Sequence, residues 1–144
     1  MRVLIENEAG STRKHTYDER TFVLLRTSEV SAAYPFPYGF AIGTMSGDGD
    51  AVDCFALTDT PLVSGSIVEC EPVGLLEQIE DGETDHKVLA ALPGESPALD
   101  EAMLARLRRF IASVFAHVPG KVMTVGRLLD RQAAEAYLQQ CRKP

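Results

Sequence analysis

Basic residues are in short supply: 14 lysines and arginines stand against 21 aspartates and glutamates, giving a formal charge of −7 over 144 residues. A surface of that sign repels a nucleic-acid backbone, so no nucleic-acid partner is expected. Metal cations would partly neutralise it. Cysteine is scarce as well. Cys54, Cys70 and Cys141 are odd in number and form no Cys-x-x-Cys pair, which argues against a disulfide framework or a zinc knuckle and fits a reducing compartment. His15, His86 and His117 are too scattered to suggest a metal site. Long apolar runs are missing too. Met1-Arg2-Val3-Leu4-Ile5-Glu6 offers three apolar residues before its first acid, too few for a secretory core or a membrane span. There is no internal repeat and no low-complexity tract. The expectation is a cytoplasmic protein with no membrane partner, folded as one domain over residues 1–144.

The front of the chain is strand-rich. Val3 to Ile5, Thr21 to Leu25, Val52 to Leu57, Ser66 to Glu71, Val73 to Ile79 and Lys87 to Leu92 are short apolar or β-branched stretches closed by Gly, Pro, Asp or Ser. Pro72 should mark a bend or an edge. The back third changes period. Leu99, Met103, Leu107, Phe110, Ile111, Val114, Phe115 and Val118 recur at three- and four-residue steps, predicting an amphipathic helix. Ser96 before Pro97 reads as its N-cap, and Pro119-Gly120 as its stop. A short final helix is predicted from Asp130, with Ala134, Tyr137, Leu138 and Cys141 turned inward. These elements suggest a small α+β domain: a closed antiparallel β-barrel with two C-terminal helices packed on its outside.

Asp48-Gly49-Asp50-Ala51-Val52-Asp53 places three carboxylates within six residues, just after Tyr34-Pro35-Phe36-Pro37-Tyr38-Gly39-Phe40. Carboxylates so crowded raise one another's pKa unless a cation offsets them. Mg2+ suits them, because a hard divalent ion prefers oxygen ligands and is commonly shared between carboxylates and a substrate phosphate. The same six residues also suit a plain solvated turn.

Beyond these two segments, Pro61 to Ser66, Val73 to Leu76, and Glu80-Asp81-Gly82-Glu83-Thr84-Asp85-His86-Lys87 follow in order. Together they resemble the soluble family I inorganic pyrophosphatases, whose Tyr-Pro-x-x-Tyr-Gly and Asp-x-Asp-x-x-Asp motifs stand here at the family's spacing. The resemblance covers Val3 to Leu92 well and the helices loosely. It implies an OB-like barrel and Mg2+-dependent hydrolysis of pyrophosphate. By the resemblance, Asp48, Asp53 and Asp85 would hold the metal, with Asp53 bridging two ions, and Asp50 would be the general base. Lys14, Arg26 and Lys87 would grip phosphate, Tyr38 would donate to the same oxygens, Glu80 would replace an outer aspartate, and Glu6 would be an outer acid. Relatives in bacteria commonly assemble, so a homo-oligomer is expected.

Each assignment has a plainer competitor. Arg26 and Lys14 could be solvated, the acids from Glu80 to Asp85 could form a solubility loop, Tyr34 and Phe40 suit the core, and Cys54 suits a small apolar site. The sequence also departs from the family. Thr16 replaces an acid, Pro37 an asparagine, and Phe115-Ala116-His117-Val118-Pro119-Gly120-Lys121 lacks the Tyr-Lys pair that binds phosphate. Lys121, Arg13 and Arg127 are the cations left to stand in, with no spacing to choose among them. The alternative to an enzyme is a catalytically impaired module on the same scaffold that binds a metal–phosphate ligand or a partner protein. Oligonucleotide binding is disfavoured by charge.

Overall fold

Three consecutive apolar residues in an ordinary antiparallel strand would put one side chain in water, yet Val3, Leu4 and Ile5 are all at most 1% exposed. They lie in β1 (Arg2–Asn7), which is interior to the main sheet, between β4 (Tyr38–Ala41) and β6 (Ile67–Glu69). The computed structural model describes residues 1–144. Its main sheet runs β10-β7-β9-β5-β4-β1-β6, where β5 is Asp53–Ala56, β7 Glu71–Glu80, β9 Lys87–Ala91 and β10 Met123–Leu129. The two-residue β8 (Glu83–Thr84) pairs with β7. A separate hairpin joins β2 (Arg13–Tyr17) to β3 (Leu24–Glu29).

Alternate residues along the central strands feed two cores. Phe55, Leu76 and Leu89 join the cluster under α1 (Glu101–Ser113), through Leu107, Phe110 and Ile111. Cys54, Leu75, Val88 and Ala90 join the cluster that includes Ala134 and Cys141, at α2 (Arg131–Gln140) and its C-cap. Burial on both faces is why Val88 to Ala91 reads as a continuous apolar run. Tyr34 is buried in the first cluster and Cys54 in the second, while Phe40 is buried with Leu4 and Ala51 in a third, smaller one.

The closed antiparallel barrel is corrected. The pairing path is open, ending at β10 and β6 without a ladder between them. β5 and β9 run parallel. The sheet nevertheless curls, because β6 and β7, near opposite ends of the pairing path, are joined by the single residue Cys70, whose N–H donates to the Met1 carbonyl at 2.8 Å. Pro72 sits just beyond this corner, at a register shift against β9.

Other boundaries moved for local reasons. The strand expected at Thr21 to Leu25 begins at Leu24, because residues 18–22 turn: Asp18 Oδ1 accepts the N–H groups of Arg20 and Thr21, and Phe22 takes a φ of 63°. Asp100, not Ser96, caps α1, accepting the Met103 N–H at 2.9 Å. The helix stops at Ser113, six residues before Pro119. The final helix is capped by Asp130 as expected, with Ala134 and Cys141 buried and Tyr137 and Leu138 half-buried. Residue pattern alone does not announce β2, β4, β8 and β10. β10 hides its alternation behind a bulge between Val125 and Leu128, where Arg127 meets Glu77.

Gly39 marks the tightest approach in the sheet. A Cβ there would lie 1.8 Å from the Leu4 carbonyl oxygen. Gly39→Ala is therefore expected to lower unfolding free energy by about 3 kcal/mol or to prevent folding, since overpacking a rigid backbone leaves no relaxed position. Urea unfolding followed by circular dichroism reads this directly, and a midpoint shift under about 0.5 kcal/mol would contradict the packing described.

Candidate active site

Lys87 and Asp53 are register partners in the parallel β5–β9 ladder. Asp85 lies two residues before Lys87, and side chains two apart share one face of an extended chain. The consequence is a buried triad, with the Lys87 ammonium donating to Asp53 at 2.6 Å and to Asp85 at 2.8 Å. The Lys87 side chain is 6% exposed and that of Asp85 8%. The ring of Tyr38 lies 5.7 Å from the same ammonium, oriented by an aromatic stack that runs through Phe55, Tyr34 and Phe110.

Around this triad opens a cavity of about 220 Å³. Ten residues singled out in the sequence line it: Glu6, Lys14, Arg26, Tyr38, Asp48, Asp50, Asp53, Glu80, Asp85 and Lys87. They arrive from β1, the β2–β3 hairpin, β4, β5, the end of β7, the 46–50 turn, and β9 with the residues before it. Thr16 lines it as well.

The aspartate segment is indeed a turn, and the turn aims its acids. Gly49 adopts a φ of +88°, which favours glycine. Asp48 Oδ1 accepts both the Ser46 hydroxyl at 2.5 Å and the Asp50 N–H at 2.9 Å. The hairpin is docked by side chains in place of a ladder. Asn7 Oδ1 accepts the His15 N–H at 2.7 Å, and Glu6 Oε2 accepts the Tyr17 N–H at 3.0 Å.

Burial dominates the electrostatics. It pushes Glu6 up to about 7, against the opposing Tyr17 N–H, with the nearby Asp53 charge adding to the rise. Asp85 is likewise raised by burial, while burial of Asp53 is outweighed by Lys87 and that carboxyl is lowered. Asp50 is raised by partial burial, then by the charges of Asp48 and Asp53. Tyr38 is held well above its ordinary range, mainly by burial, so its hydroxyl keeps its proton and stays a donor.

Seven carboxylates line the cavity against four side-chain cations, Lys14, Arg26, Lys87 and Lys121. The buried Gln78 contributes an amide oxygen without a partner. This surplus of hard oxygen donors suits a divalent cation. The donors are not drawn into a ready cage: no three His, Cys, Asp or Glu groups cluster as a metal site. Asp48 is held by its turn, Asp53 and Asp85 by Lys87, and Glu80 faces Lys121 at 3.5 Å. Lys87, expected to grip phosphate, is committed to two carboxylates in this arrangement.

Several lining residues were missed. Glu19 enters from the hairpin turn and accepts the Ala51 N–H at 2.9 Å; nothing in its sequence neighbourhood announced it. Gln78 had a signal, as a lone amide inside an apolar strand. Phe115 was assigned only to the helix stripe, but it lies beyond the helix and faces the cavity.

Glu6 gives a pH test. Its folded value of about 7 lies above the ordinary 4.5, so the folded state holds the proton more tightly. The stability this contributes is complete below about pH 4.5 and is lost as pH rises through about 7. In metal-free protein, the stability of Glu6→Gln relative to the native sequence should therefore rise by on the order of 2 kcal/mol between these limits. A difference constant with pH in parallel denaturant titrations would contradict it. Lys87→Met leaves the buried Asp85 and the half-buried Asp53 without their shared partner and should cost about 3 kcal/mol at neutral pH, with a smaller loss in acid, read by the same titrations.

Comparison with known proteins agrees with this geometry. A family model described as inorganic pyrophosphatase matches residues 3–144. An inorganic pyrophosphatase of Synechocystis sp. is 38% identical over 97 residues, covering 66% of this chain and 57% of the relative, so the match spans little more than half of that protein's length. One from Halalkalibacterium halodurans is 31% identical over 147 residues, covering 95% of this chain and 90% of the relative. The crystal structure of inorganic pyrophosphatase from Thermus thermophilus superposes with a TM-score of 0.86 at 27% identity, covering 98% of this chain and 88% of that one. With a family match over nearly its whole length and an acid-rich cavity at the matching motifs, the chain belongs to the inorganic pyrophosphatase family.

Proposed function

We propose that this chain, acting as one domain over residues 1–144, hydrolyses inorganic pyrophosphate to two phosphates with the help of Mg2+. The observation that carries this is the convergence of acids and cations from separate elements onto one cavity, in a chain that belongs to the family. Asp48, Asp53 and Asp85, with Glu80 and Glu6 farther out, are the side chains that would hold the ion, and the chemistry supplied there is charge neutralisation on phosphoryl oxygens together with acidification of a water.

The remaining work falls to the protein. Pyrophosphate brings several negative charges, and its hydrolysis depends on positioning and neutralising them. Arg26 offers a planar fork of donors and Lys14 a point charge. Tyr38 donates a hydrogen bond from a hydroxyl that stays protonated. Asp50 accepts the proton of the attacking water. A raised pKa suits that task, because a base works best when its proton affinity approaches the ambient pH. Lys87 offsets Asp53 and Asp85, keeping both carboxylates directed into the cavity.

We also infer a cytoplasmic homo-oligomer. The three cysteines are free and buried, as a reducing compartment allows. No helix is long and apolar enough to cross a membrane. Val23, Leu24 and Leu25 stand 59%, 48% and 57% exposed beside the hairpin turn, apolar area that a subunit contact would cover.

Phosphate release from pyrophosphate with Mg2+ present tests the activity. Asp50→Asn should lower kcat by roughly a hundredfold or more, the usual contribution of a positioned base. Unchanged turnover in that variant would remove Asp50 from the mechanism. Calorimetric binding without turnover in the native sequence would instead favour the impaired module.

A further inference from the structure

Four side-chain cations line the cavity, and one of them is spent: Lys87 is buried between two carboxylates at 2.6 and 2.8 Å. Any polyanion entering there must be met by Lys14, Arg26 and Lys121. Two of these share a platform. The Lys14 ammonium lies 5.2 Å from the centroid of Phe115 and the Lys121 ammonium 4.5 Å from the same centroid, both inside the range of about 6 Å at which a ring face attracts a cation. One ring thus gathers two like charges at the cavity wall, one from β2 and one from the segment after α1.

The backbone at Lys121 is anchored. The Asp81 N–H donates to the Val122 carbonyl at 2.8 Å, and Asp81 Oδ1 accepts the Val122 N–H at 2.9 Å. These reciprocal bonds tie the segment to the acidic loop at the cavity rim. The side chain above them is free to respond, because its only carboxylate neighbour, Glu80, is 3.5 Å away, beyond the 2.7–2.9 Å of a charge-assisted hydrogen bond. The other cations considered from the sequence face elsewhere. Arg127 is clasped by both oxygens of Glu77 at 2.8 and 3.1 Å with its side chain 75% exposed. Arg13 is 69% exposed beside Glu29.

We propose that Lys121, seated with Lys14 on the Phe115 ring, is a substrate-binding residue that contacts a phosphate of pyrophosphate, taking up work that the missing Tyr-Lys pair leaves open. This rests on the pyrophosphate reading above. Phe115 is a positioning residue: it holds both ammonium groups at the wall without touching the anion.

The test measures binding of methylenediphosphonate, a non-hydrolysable analogue, by calorimetry in Mg2+ buffer, beside KM and kcat for pyrophosphate. Lys121→Met should weaken the analogue by about tenfold or more, the loss expected for one charged contact. Lys121→Arg should recover part of it, and Arg127→Met should stay within about twofold of the native sequence. Phe115→Leu should weaken the analogue less than Lys121→Met and raise KM more than it lowers kcat. Lys121→Gln repeats the measurement should the methionine variant melt early. Native-like affinity in folded Lys121→Met or Lys121→Gln overturns the proposal while leaving hydrolysis by the native protein intact. Lys121-dependent binding without phosphate release supports Lys121 as an anion contact and overturns the hydrolytic reading alone. Absence of both analogue binding and phosphate release by the native protein overturns both, and where hydrolysis persists without analogue binding an unchanged KM in Lys121→Met overturns the proposal alone.

Discussion

The site depends on one ammonium held between two carboxylates in a nearly dry interior. At 4 Å, opposite charges attract by about 4 kcal/mol in a medium of intermediate polarity, but removing each from water costs several kcal/mol. The Lys87 triad is therefore a poor source of stability. Its effect is geometric, since Asp53 sits on β5 and Asp85 in the connection before β9, and their shared partner fixes the distance between them. Lys87 neutralises one charge of the two. Burial raises Asp85, while at Asp53 the Lys87 charge outweighs burial and lowers the carboxyl, and the negative charge left over makes the cavity receptive to further positive charge.

That triad in turn requires the parallel pairing of β5 and β9, which places Asp53 opposite Lys87. Parallel strands need a long connection, and here it is made by β6, β7 and β8, with the one-residue join at Cys70 drawing the two ends of the sheet toward each other. With both faces of the central strands covered by apolar side chains, the ladder cannot slip by one residue without turning Phe55 and Leu89 out of one core and Cys54 and Val88 out of the other. Register is thus fixed by packing, and the charges follow it. The β2–β3 hairpin completes the wall. Its attachment through Asn7 and Glu6 uses side-chain oxygens on backbone N–H groups, so Lys14 and Arg26 are placed by bonds that do not belong to the main sheet.

Local pattern revealed those parts of the fold whose cause is local. The apolar runs of β1, β5, β7 and β9 and the stripe of α1 are consequences of burial, and burial shows in residue type. β4 was hidden because its Tyr-Gly-Phe-Ala stretch follows two prolines and contains the glycine that the Leu4 carbonyl demands. β2 was hidden because Arg13 to Tyr17 packs no buried side chain. Sheet closure was misjudged for a different reason, since which strand meets which is a long-range property that no periodicity encodes. The candidate site was more legible than the barrel. Its residues are marked by the resemblance to a known family, whose motifs stand here at matching spacings, and not by any local pattern that brings distant acids together. Glu19 and Phe115 remained unseen because their approach to the cavity is set by the turn at Asp18 and by the early stop of α1, neither of which the residues' own neighbours reveal.

The departures from the family pattern gain meaning from where they fall. Thr16 brings no charge to the cavity, but Glu19, three residues along the same hairpin, brings a carboxylate to its wall and fixes it to the Ala51 N–H. Its pKa is raised, chiefly by burial and next by the charge of Asp50, so the carboxylate interacts with the same acids that define the site. Electrostatic work in a small cavity depends on how many charges face it and how deeply they are desolvated, more than on which strand position supplies them. An acid supplied from the turn beside β2 therefore adds to the charge surplus from its own direction. Positioned chemistry is sensitive to direction over about an ångström, whereas attraction for a cation follows the summed charge, so the wall from which Glu19 acts matters less for that attraction than its presence.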